Sequence, residues 1–147
     1  EIKRIINWQF HHYLHLLSVV LYTLTLESSE LELLIYPFVQ LCIATLGVSM
    51  KNTHYFPYTI KICKMLNNLN AVSPKLYIPV AQYVLHLFNG TDEFLNRKTR
   101  PAKDALPNYD VAIKLSKDFF EKSETKDFVF KSSIQELKSH LEIIKNC

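Results

Sequence analysis

Glycine is nearly absent, with only Gly47 and Gly90 in 147 residues. A loop that cradles phosphate needs several glycines in one turn, so neither common pattern can be built. The same shortage argues against a multi-stranded β-sandwich, whose hairpins draw on Gly or Asn-Gly turns. No serine can sit in a Gly-x-Ser-x-Gly elbow either. Cysteine is scarce as well: Cys42, Cys63 and Cys147 are odd in number and lack a Cys-x-x-Cys spacing. They read as free thiols of a reducing compartment. An excess of one charge is also missing. With 17 Lys and Arg against 14 Asp and Glu the net charge is +3, well short of a surface made throughout for nucleic acid. Asn89-Gly90-Thr91 fits a glycosylation sequon, but an Asn-Gly loop is the simpler reading.

What remains is large and apolar. Hydrophobic residues make up 48% and charged residues 21%, as in one soluble globular domain. The 21 Leu, 12 Ile, 9 Phe and 8 Tyr supply an ample core, and the expected architecture is all-α. The chain opens on Glu1 rather than Met and closes inside a helical pattern, so it reads as a piece of a longer protein.

Two stretches invite a membrane reading, since neither Ile5–Leu26 nor Leu33–Met50 holds an acidic or basic residue. The first contains Asn7, Gln9, His11, His12 and His15, all costly in lipid, and the second is broken by Pro37 and Gln40. Buried helices of a water-soluble fold explain both better, and no membrane partner is expected.

A first helix is expected from about Lys3 to Thr25, with Ile2, Ile6, Phe10, Tyr13, Leu17, Leu21 and Leu24 on one face. Ser29 and Glu32 have capping-box spacing for a second helix over about Leu31–Leu46, which Pro37 should kink. Pro57 and Pro79 then open helices reaching about Leu69 and Phe88. Four consecutive amphipathic helices with short connectors predict stacked antiparallel pairs, as in a HEAT-like α-solenoid, over residues 1–96. Residues 97–108 form a basic, proline-containing linker. Over residues 109–147 one extended segment, apolar at Tyr109, Val111, Ile113 and Leu115, precedes a C-terminal helix from about Lys126 to Asn146.

Chemistry is hard to find in this pattern. His11 and His15 share a helix face, but His12 stands where the zinc-protease signature has Glu, and no third ligand is near, so no metal or other cofactor is expected. Cys42 and Cys63 lie in apolar helical runs, where a thiol stays protonated and inert. No pair of carboxylates sits in apolar surroundings, and the expectation is a protein that is not an enzyme and has no small-molecule substrate. Arg97, Lys98, Arg100 and Lys103 could contact RNA phosphates or serve as a localisation signal, but for so short a run the pattern alone favours a solvated linker. The stripe of Phe130, Ile134, Leu137, Leu141 and Ile144 either closes the core or lies on a partner chain, and the stripe alone favours the core.

Three strings taken in order carry a more specific message: Asn7-Trp8-Gln9-Phe10; Leu34-Ile35-Tyr36-Pro37-Phe38-Val39-Gln40; and Tyr55-Phe56-Pro57 followed by Cys63, Leu66-Asn67 and Ile78-Pro79-Val80. In this spacing they resemble the nucleolar complex protein 2 family over roughly residues 5–145. The resemblance implies a helical-repeat scaffold of nucleolus and nucleoplasm that assembles and moves precursors of the large ribosomal subunit. It also implies heterodimers with nucleolar complex protein 1 or 3 on a particle containing precursor ribosomal RNA. Trp8, Tyr36, Pro37, Gln40, Tyr55, Phe56, Pro57 and Pro79 carry the motif, and their expected role is structural. The prolines set helix starts and a kink, while the aromatics fill gaps between stacked pairs.

Overall fold

A computed structural model of the protein describes residues 2–24, 29–72, 77–95, 108–120 and 122–146. Every regular element among them is helical: α1 (Ile2–Ile5), α2 (Trp8–Leu24), α3 (Ser29–Ser49), α4 (Phe56–Val72), α5 (Val80–Leu95), α6 (Lys117–Phe120) and α7 (Ser123–Asn146). Two short 3₁₀ turns, Thr53–Tyr55 and Tyr109–Val111, precede α4 and α6.

Asn7 divides the predicted first helix in two. Its Oδ1 accepts the Phe10 N–H at 2.8 Å while its Nδ2 donates to the Arg4 carbonyl at 2.8 Å. A short polar side chain that bonds the backbone on both sides ends one helix and caps the next. The expected inward face is met in part: Ile6 and Leu21 are buried and Phe10 and Leu17 pack against the core, whereas Ile2, Tyr13 and Leu24 are exposed and His11, Leu14 and Ser18 are buried instead. Apolar side chains surround most of α2, so contact with α3 and α4 decides which stripe turns in.

α3 runs through Pro37 without ending. Pro37 and Leu33, whose carbonyl is left without that N–H, both lie on the exposed side, where water can serve the carbonyl. α4 is the central helix. Twelve of its seventeen residues are buried, and it packs against α2, α3, α5 and α7. Its hydroxyls and amides are bonded locally: Ser49 and Thr59 share a bond of 2.9 Å, and Asn70 clamps both backbone groups of Ile78 ahead of α5. α5 continues through Asn89-Gly90, so the expected loop there is replaced by helix. Among the described residues no glycine has positive φ, and Phe88 meets Phe130 of α7 edge to face at 5.2 Å.

The strand-like reading of Tyr109–Leu115 gives way to a turn. Asn108 caps it by accepting the Asp110 N–H, and the segment then hooks onto the earlier 3₁₀ turn. Leu115 N–H donates to the His54 carbonyl at 2.8 Å, and His54 Nδ1 lies 2.9 Å from the Leu115 carbonyl. Among the described residues there is no strand for it to pair with, and two bonds to a turn take the place of strand pairing. The linker region before Asn108 lies outside the described residues.

Candidate functional site

α7 crosses α4 with a polar face inward. Its buried positions are Thr125, Lys126, Val129, Ser133, Glu136 and His140. Asn67 of α4 organises the lower half of this contact. Its Nδ2 donates to the Glu136 carbonyl and to Glu136 Oε2, each at 3.0 Å, and its Oδ1 lies 3.1 Å from His140 Nδ1. Since the Asn67 oxygen accepts, His140 carries its proton on Nδ1, and burial keeps the ring's pKa below the usual range. Burial raises the Glu136 pKa, opposed by the Asn67 hydrogen bond and by Lys64. A neutral histidine and a carboxyl pushed toward its neutral form thus sit where apolar residues were expected.

Beside this network a cleft of about 460 Å³ opens between α4, the Tyr109–Val111 turn and α7. Pro57, Ile60 and Phe128 form its apolar part, and Lys61, Lys64 and Lys131 bring positive charge against Asp110 and Glu136. Lys61 Nζ donates to the Tyr109 carbonyl at 3.1 Å. Burial lowers the Lys61 pKa, with Asp110 opposing and Lys64 adding to the fall. Tyr109 stacks on Phe128 at 4.1 Å and bonds Thr125 at 2.8 Å, so the turn is tied to α7. Sequence reasoning missed this cleft because Lys61 and Lys64 are far from Lys131 in the chain. The signal available was the helical spacing of Lys61 and Lys64 on α4.

The motif residues part company in space. Phe56 and Pro57 are buried at the start of α4, Tyr55 is half-buried with Lys114 Nζ 5.6 Å from its ring centre, and Pro79 lies half-buried ahead of α5. Tyr36, Pro37 and Gln40 instead face outward on α3, and Tyr36 is 68% exposed, so it fills no gap in the core. Trp8 stands at the start of α2, its ring stacked on His12 at 5.3 Å and edge-on to His11 at 5.4 Å. His11 is buried, and desolvation, then Lys61, His12 and His15, bring its pKa down to about 4. Cys42 and Cys63 are buried, and burial raises both thiols, Cys42 to about 12.

On α7 the apolar stripe turns outward: Ile134, Leu141 and Ile144 are exposed, and Leu137 is partly buried against the core. The expectation that this stripe closes the core is corrected for those three, because α4 meets the polar face instead. A second outward apolar surface covers α2 and α3, where Tyr13, Leu16, Leu33, Leu34 and Leu41 are exposed. Between those helices lies an apolar groove of about 250 Å³ lined by Leu17, Val20, Leu34, Pro37 and Phe38 among others. Glu30–Ser49 is long and apolar enough to cross a membrane by length and composition, and a third of that window is buried in the fold. Arg97, Lys98, Arg100 and Lys103 lie outside the described residues.

A family model described as the Noc2p family matches residues 1–147. The chain belongs to the Noc2p family. The Noc2p family is one of ribosome-assembly factors rather than a known family of enzymes, and it gives the chain a nucleolar setting, among protein partners in nucleolar complexes.

Proposed function

We propose that the chain is a non-catalytic helical scaffold that heterodimerises with nucleolar complex protein 1 or 3 on precursors of the large ribosomal subunit. It assists their maturation and their passage from nucleolus to nucleoplasm. The helix pairs act as a short HEAT-like stack within one domain, and residues 97–108 link the stack to its C-terminal part. The observation that carries the reading is the outward apolar surface of α2 and α3, where large hydrophobic side chains including Tyr13, Leu16, Leu33, Leu34 and Leu41 are exposed. A surface of that kind marks an interaction site. The stripe of Ile134, Leu137, Leu141 and Ile144 provides a second contact with the partner.

Affinity purification of the tagged full-length protein tests this. Wild type should bring down a nucleolar complex partner and large-subunit precursor RNA. Leu34→Glu with Leu41→Glu should lose the partner while the protein stays folded, and Ile134→Glu with Leu141→Glu should weaken it. Recovery of neither partner nor RNA with wild type would overturn the reading. The four positive charges of Arg97, Lys98, Arg100 and Lys103 favour a further RNA contact. Their joint replacement by Ala should flatten the salt dependence of RNA binding.

A further inference from the structure

We propose that the cleft between α4, the Tyr109–Val111 turn and α7 binds single-stranded RNA, with backbone phosphate against Lys61, Lys64 and Lys131 and a base on the Ile60–Phe128 floor. The cleft has the two parts such binding needs, a positive wall for phosphate and an apolar aromatic surface for a base. Its volume of about 460 Å³ takes a small number of nucleotides and not a duplex. Lys64 and Lys131 are exposed and free to reach outward, whereas Lys61 is anchored on the Tyr109 carbonyl and sets one fixed donor at the rim. Asp110 and Glu136 also line the cleft, but Asp110 lies in the field of Lys61 and the Glu136 carboxyl is bonded to Asn67 and lies in the field of Lys64, so the charge of each is partly offset. Tyr109 stacked on Phe128 stiffens the floor. A purely acidic peptide would satisfy the lysines and leave this floor uncovered. The inference rests on the reading of the chain as a particle-bound scaffold for the choice of RNA, and it names a surface which that reading does not use.

The test is binding of fluorescein-labelled oligo(U) to the purified full-length protein across a salt series. Lys64→Ala with Lys131→Ala touches only exposed residues, so its thermal melting should match wild type. It should weaken binding at least about tenfold at low salt and reduce the slope of log affinity against log salt by about 1.4. Ultraviolet crosslinking should attach uridine to the peptide that contains Phe128. Unchanged affinity and slope in the double variant would overturn the proposal. So would loss of binding confined to the Arg97, Lys98, Arg100 and Lys103 variant, which would leave RNA binding by the chain intact. Poly-glutamate that binds as tightly as oligo(U) and is lost in the same double variant would make the cleft a peptide site, which also overturns it. Failure here leaves partner recovery untouched, and loss of the partner leaves oligo(U) binding untouched, so the two readings fail separately.

Discussion

α3 and α4 are neighbours in chain and space, and they use hydrophobicity in opposite ways. α3 is rich in Leu, Ile and Val, yet it buries one stripe, Ile35, Phe38, Val39, Cys42, Thr45, Leu46 and Ser49. α4 carries three asparagines and two lysines, yet most of its circumference is buried. The difference is one of neighbours. α4 is surrounded by α2, α3, α5 and α7, while α3 packs chiefly on α2 and α4 and keeps an open face. Burial follows from the number of packed faces, and an apolar helix with an open face has surface to spare for a partner.

The sharpest test of that contrast is truncation on each helix. Leu66→Ala on α4 removes a fully buried side chain and should cost about 3 kcal/mol in urea unfolding. Leu33→Ala on α3, 79% exposed in wild type, should change stability by less than about 0.5 kcal/mol. Equal losses would break the comparison.

A second test uses pH where α2 meets α4. His11 is buried next to Tyr58 with its pKa lowered to about 4 from an ordinary 6.5. The folded state therefore binds fewer protons than the unfolded state between these values, and stability falls as pH drops through that window. The loss should approach about 3 kcal/mol at its limit and be absent above pH 6.5. His11→Gln should remove most of this pH dependence in denaturation curves measured across the window.

Asn67→Ala tests the polar side of α4. It strips the partners from buried Glu136 and His140 and should destabilise by about 2 kcal/mol despite removing few atoms. The smallest effect is a gain. Gly47 sits exposed in the helical interior of α3 with nothing within 4 Å of an added Cβ, so Gly47→Ala should stabilise by about 0.5–1 kcal/mol in a thermal melt. A loss there would mean that α3 is already covered on that side.

Legibility in the sequence followed how local the cause was. Pro57, Pro79 and the amphipathic runs located α4 and α5 well at their starts, because proline placement and helical periodicity are local effects. The break at Asn7 is local as well, but a single Asx cap is outweighed by a long apolar pattern. Asn89-Gly90 misled for the opposite reason: packing of α5 on α7 overrides the turn preference of that pair. On α7 two phases compete, Phe130, Ile134, Leu137 and Leu141 against Val129, Ser133, Glu136 and His140. Hydrophobicity points to the first, and the second is the one buried, because Asn67 on α4 offers partners for Glu136 and His140. The cleft was not legible, since its lysines come from two distant helices.

The amino-acid sequence by itself determined that the chain is helical, through its shortage of glycine and its abundance of Leu and Ile, and the order of its three motif strings pointed to its family. Those properties are carried by composition and local spacing. Which stripe of α2 and α7 turns inward, that α3 keeps an apolar face outside, and that three lysines converge beside Phe128 were decided only by tertiary structure. The physical reason is that a side chain's burial and field depend on what packs against it, and its neighbours come from elements that the linear pattern leaves far apart.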